Sequence, residues 1–151
     1  MNIFSKEMLF TNSAWERPNL TANGTLGGNS FAVTSSLNSS DEYKAVDGST
    51  STYFSFPRFT TFTFYNPTPL KVTQLIARYP SSYYGKITDV VGSNTNSGWN
   101  TISFSRSGTT TETITLSNST YYKYYRITLD RGSSSISTMR LGELLITAEE
   151  Q

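Results

Sequence analysis

Cysteine and histidine are both absent from this chain of 151 residues. Without cysteine there is no disulfide and no thiolate metal site, and redox chemistry gives no indication of compartment. Without histidine neither a Ser-His-Asp triad nor a His-ligated zinc site exists. Charge of one sign is also missing. The formal net charge is +1, with acids and bases scattered along the chain, so no basic stripe addresses a nucleic-acid backbone. No apolar run approaches the roughly 18–20 residues of a membrane-spanning helix. Lys6 and Glu7 interrupt what a secretory signal would keep apolar, so no signal peptide is expected here; an extracellular surface or a virion is the expected location.

What is present is aromatic and hydroxylic. Aromatic residues make up 14% of the chain against 15% charged, and the polar remainder is mostly Ser, Thr and Asn. Short segments alternate apolar and polar residues between Gly, Pro, Asn and Ser clusters, which is strand periodicity. Thr61-Phe62-Thr63-Phe64 alternates and is expected to end at a turn, Asn66-Pro67-Thr68-Pro69. Residues 71–78 form the next strand, where the run Leu75-Ile76-Ala77 implies either two-sided burial or a bulge. Ile114 and Leu116, then Tyr125, Ile127 and Leu129, point inward from two half-buried antiparallel strands. Leu144 and Ile146 face the core from the closing strand. Shorter strands are expected near 31–35, 87–92 and 101–105.

No helical pattern of useful length follows residue 10, so the chain reads as an all-β sandwich of one-domain length. The sandwich is assigned to residues 29–151, and residues 1–28 to an N-terminal extension or docking segment. Residues 19–29, rich in Gly, Asn and Thr, are a linker or a long loop. The first ten residues are a short amphipathic helix, an added strand or a frayed terminus. Trp15, beside Glu16 and Arg17, is a ligand platform or an anchor for this segment.

Four stretches in register carry a family resemblance. Val33-Thr34-Ser35-Ser36 precedes Ala45-Val46-Asp47-Gly48-Ser49-Thr50-Ser51-Thr52-Tyr53-Phe54. Gly92-Ser93-Asn94 is followed by Gly98-Trp99-Asn100. Tyr124-Tyr125-Arg126-Ile127 and Leu141-Gly142-Glu143-Leu144-Leu145-Ile146 complete the set. Together they resemble the discoidin family, also called coagulation factor 5/8 C-type or galactose-binding-like domains, in its cysteine-free carbohydrate-binding branch. The resemblance covers roughly residues 30–148. It implies an antiparallel jelly-roll β-sandwich. The usual tryptophan after the Asp-Gly loop is replaced by Tyr53 or Phe54, and histidine, which often contacts galactose in that branch, is lacking.

Asp47, Thr52 and Glu143 match positions that in many family members bind a structural calcium ion together with backbone carbonyls of the Asp-Gly loop. Calcium takes about six to eight oxygen ligands, which two carboxylates and a tight turn at Gly48 suit. The alternative is that Asp47 caps its own turn and Glu143 is an exposed or partly paired carboxylate.

The resemblance also places a ligand on loops at one end of the sandwich, here Arg78-Tyr79-Pro80-Ser81-Ser82-Tyr83-Tyr84. Tyr79, Tyr83 and Tyr84 offer rings for the C–H face of a sugar, and Arg78 offers hydrogen-bond donors to its hydroxyls. The facing loops add Asn38 and Arg131. The competing reading packs those rings along the rim, and Trp99 beneath its turn.

The expected function is a non-catalytic module that binds cell-surface or polysaccharide glycans, one site weakly and an assembly by multivalency. The alternative is a virion structural subunit whose partners are other subunits. No enzyme is expected: Asp47 and Glu143 are the only paired carboxylates, and Glu16, Asp89 and Glu112 stand alone.

Overall fold

The computed structural model describes residues 13–151. Its strands are β1 (Ser13–Trp15), β2 (Ala32–Ser35), β3 (Phe54–Phe56), β4 (Thr60–Arg78), β5 (Gly85–Ser93), β6 (Asn100–Thr101), β7 (Phe104–Ser107), β8 (Thr111–Leu116), β9 (Tyr122–Arg131), β10 (Met139–Leu141) and β11 (Glu143–Glu150). A single 3-10 turn, Glu42–Ala45, interrupts them.

The expected turn at Asn66-Pro67-Thr68-Pro69 does not end the strand. β4 runs on through both prolines for 19 residues. It leaves one sheet and enters the other, and its pairing with β9 jumps from Tyr65 to Leu70. Prolines are tolerated there because no ladder partner is required of them, and the Asn66 amide donates to the Thr68 carbonyl at 2.8 Å. The front sheet is β2-β4-β9-β5-β6, built on Thr60 to Tyr65, and the back sheet is β1-β11-β4-β8-β7, built on Leu70 to Arg78. All pairs are antiparallel, and a β3–β10 ribbon lies apart from both sheets. The chain is thus an antiparallel jelly-roll sandwich.

Inward phases agree with the alternation. Phe62, Phe64, Tyr125, Ile127 and Leu129 of the front sheet meet Leu70, Leu75, Ile114, Leu144 and Ile146 of the back sheet in one core. Each such side chain stabilises the fold by about 1.5–3 kcal/mol through removal from water. The ambiguity at 75–77 is resolved as a bulge: Gln74 pairs with Thr147 and Val72 with Ala148, so Thr73 is extra. Buried positions accordingly change phase from 70 and 72 to 75 and 77. Tyr125 stacks on Phe64 at 5.3 Å, and its hydroxyl donates to the Leu70 carbonyl at 2.5 Å while accepting from the Val72 amide. Burial pushes its phenol up to about 12.

The composition-poor stretch 19–29 is a loop held to the sandwich. Leu20 N–H donates to Val46, and Val33 N–H donates to Asn23. The Asn23 side chain accepts from Tyr43 N–H and donates to Glu42. β1 pairs with β11, and Trp15 packs 5.5 Å from Phe31, which makes Trp15 an anchor. Residues 13–28 are therefore docked on the sandwich. The readings made for the first ten residues fall outside the described residues.

Candidate functional site

Because β4 crosses between sheets midway, its two ends lie at the same end of the sandwich. Ile87, paired opposite Leu129 near the start of β4, donates its N–H across to Glu112, which pairs with Ala77 near the finish. The turns before β4, after β4 and after β9 therefore gather at one end, where the resemblance puts a ligand.

The structure divides the expected ligand residues. Tyr79 is corrected: its ring is 5% exposed and its hydroxyl donates to Glu112 at 2.8 Å, so no ring face meets a sugar. Burial and the adjacent Glu112 charge push that phenol well above its ordinary value. Arg78 lines a recess of about 390 Å³ with Thr50, Ser81 and Gly142. Tyr83 and Tyr84 line a different one, about 510 Å³, against Ser135 and Thr138. Tyr83 stacks on Arg140, whose guanidinium is 3.9 Å from its ring centre and 4.2 Å from that of Tyr53. Tyr84 lies against Gly132, where an added Cβ would meet the ring at 2.3 Å; only glycine fits there. Arg131 donates to the Ser134 carbonyl at 3.3 Å. Asn38, with φ of 52°, sits in an exposed turn. Trp99 carries the Arg126 guanidinium 4.2 Å from its ring centre.

Phe59 was missed from the sequence. It is the most exposed large apolar side chain among the described residues, at 64%, and has φ of 61°, a left-handed conformation uncommon for an aromatic residue. Arg58 stacks over its ring at 4.4 Å and is itself held by Asp130, at 2.8 Å from Nε and 3.2 Å from Nη2. That pairing keeps the Asp130 carboxyl below its ordinary value. Ser36 and Thr61 exchange hydrogen bonds, which sets the Leu37-Asn38 turn beside Phe59. Gly132 N–H donates to the Tyr84 carbonyl. A strip thus runs from Asn38 through Phe59, Asp130 and Arg131 to Tyr84 and Tyr83.

The residues expected around calcium are otherwise engaged. Asp47 caps its own turn: Oδ1 accepts from Ser49 N–H at 2.9 Å and Oδ2 from the Thr52 hydroxyl at 2.5 Å. Glu143, 3% exposed, receives Arg17 Nη2 at 2.6 Å. The same guanidinium donates to the carbonyls of Val46 and Pro18 and to Asn19 Oδ1. Burial pushes the Glu143 carboxyl up to about 7 against the opposing charge of Arg17; desolvation likewise lowers Arg17. Glu143 Oε2 has no hydrogen-bond partner. Among the described residues no three acidic, His or Cys side chains are grouped to hold a metal. The set does not fit calcium as it stands, because Arg17 already takes Glu143 Oε1 and the Val46 carbonyl while the Asp47 oxygens are spent on Ser49 and Thr52.

Two further buried carboxylates escaped the sequence reading. Glu112 accepts from Tyr79, from Ile87 N–H and from Arg106 Nε at 2.6 Å. Glu42 accepts from Ser35 at 2.5 Å, from Ser39 N–H and hydroxyl at 2.9 and 2.8 Å, and from Asn23 at 3.0 Å. Both are acceptors saturated by the fold, which is a structural role.

The topology is that of a galactose-binding-like jelly-roll sandwich. No protein-family model and no curated protein sequence match the chain. Solved structures do match its fold. The family 32 carbohydrate-binding module of AlyQ, in complex with 4,5-unsaturated mannuronic acid, superposes with TM-score 0.61 at 22% identity over 77% of this chain and 92% of that one. The family 32 module of Clostridium perfringens NanJ, in complex with galactose, gives 0.58 at 15% over 78% and 93%. A chitosan-binding module from a Paenibacillus sp. IK-5 chitosanase/glucanase, in complex with chitotriose, gives 0.59 at 17% over 78% and 96%.

Proposed function

We propose that the chain is a non-catalytic carbohydrate-binding module that holds a polysaccharide or cell-surface glycan on the strip from Asn38 to Tyr83. The observation that carries this reading is Phe59, an aromatic ring held out to solvent in an unfavourable backbone conformation and braced by Arg58 and Asp130. An apolar ring with cationic and hydroxyl neighbours matches a pyranose, which presents a C–H face and a rim of hydroxyls. The sandwiches of similar fold whose titles name mannuronic acid, galactose and chitotriose support the ligand class.

A single strip of this size binds weakly, with a dissociation constant on the order of millimolar, about −4 kcal/mol. Affinity electrophoresis through gels containing alginate, pectin, galactan or chitosan tests the reading. Retardation by one of them is expected, and Phe59→Ala should abolish it while leaving the melting temperature in place. No retardation by any glycan, even for a tetramerised form, overturns the reading.

A further inference from the structure

We propose that Arg17 is the resident cation of the cradle between the 46–52 turn and β11, so that a tethered guanidinium closes the sandwich and no divalent ion is needed there. The acceptors converge from three separate parts of the chain: Pro18 and Asn19 beside Arg17, Val46 at the head of the turn, and Glu143, 126 residues away in sequence. The Arg17 side chain is 7% exposed and that of Glu143 4%, so the pair is taken out of water as a unit. A planar fork of five N–H donors is suited to several oxygens arranged in a ring. A metal drawn to Glu143 and to the Val46 carbonyl would have to displace this guanidinium and would meet its charge. Gly48, with φ of 79°, completes the cradle. A Cβ there would lie 2.6 Å from the Asn19 amide nitrogen, so only glycine lets the Asn19 side chain close over the turn.

The consequence is a division of labour along the sequence. The carboxylate comes from the last strand and the cation from the segment that precedes β2. Joining them ties the start of the described chain to its end, the cross-link that calcium would otherwise provide. This inference is independent of the glycan reading.

Thermal unfolding of the intact protein tests it. In excess chelator and in millimolar calcium the melting temperature is expected to be the same, since a site already filled gains nothing by mass action. Arg17→Met, which keeps an unbranched apolar stem and removes the charge, should lower it by roughly 6–10 °C. Arg17→Lys, a point charge without the fork, should lose less. A saturable rise of the wild-type melting temperature with calcium overturns the proposal, as does an Arg17→Met protein that melts where the wild type does. The calcium comparison requires no substitution, so it decides the matter even where a variant fails to fold.

Discussion

Two buried carboxylates on the strands that flank β4 in the back sheet, Glu143 on β11 and Glu112 on β8, are each paired with an arginine at 2.6 Å. They differ in what else they hold. Glu112 is also bonded to Tyr79 and to the Ile87 amide, and its arginine stands only six residues away and is 30% exposed. Glu143 has an oxygen without a partner, and its arginine is distant in sequence and almost wholly buried. Where neutral donors already satisfy a carboxylate, the arginine is an addition. Where they do not, the arginine is what makes burial of the charge tolerable.

The largest effect therefore belongs to Arg17. Arg17→Met leaves Glu143 buried without a side-chain donor, and the expected loss in equilibrium denaturation by urea is about 3 kcal/mol. A loss below about 1 kcal/mol would mean that Glu143 finds water or a proton, and the contrast with Glu112 would collapse.

Much of this fold was legible because alternation reports burial directly. Phe62, Phe64, Ile114, Leu116, Tyr125, Ile127, Leu129, Leu144 and Ile146 all point where their phase places them. The same phase held an unread signal. Glu112 stands two residues before Ile114 and so faces inward, which marks a carboxylate that must be satisfied. Phe59 carried no such signal: it lies in the turn before β4, where a left-handed backbone and not strand alternation turns its ring outward. Other features had no local signature. Glu143 adjoins Leu144 and falls on the outer phase, yet it is buried because Arg17 and the 46–48 turn lie over it. Nothing near residue 17 foretells a partner 126 positions on. Tyr79 has the composition of a sugar platform, and only the position of Glu112 shows that its hydroxyl is already committed. The prolines at 67 and 69 signal a break in pairing, but a break in pairing serves a crossing between sheets as well as a reversal.

Glu42 provides an intermediate case, a fully buried carboxylate with hydroxyl, amide and backbone donors and no arginine. Burial raises its carboxyl, and the donors from Ser35, Ser39 and Asn23 more than offset this, holding it below its ordinary value. A depressed folded value means that its stabilisation is present above the unfolded carboxyl range and is lost as pH falls through the folded one. Glu42→Gln should cost about 2 kcal/mol at neutral pH and flatten the acid side of a stability–pH curve measured by urea titration. An acid limb as steep as that of the wild type would show that Glu42 is not the group being protonated.

The smallest effect is expected at Arg106. Arg106→Met removes one donor from Glu112 Oε2, but Tyr79 and Ile87 remain on the carboxylate, and the arginine gives up a position that is already partly in water. The expected loss is about 1 kcal/mol by the same urea titration. Its value lies beside that of Arg17→Met. Two arginines at equal distance from two equally buried carboxylates should differ severalfold in what their removal costs. The difference should follow the number of neutral donors left behind. Equal losses would mean that charge pairing alone carries both sites, and that the hydrogen bonds from Tyr79 and Ile87 add little to holding Glu112 in the core.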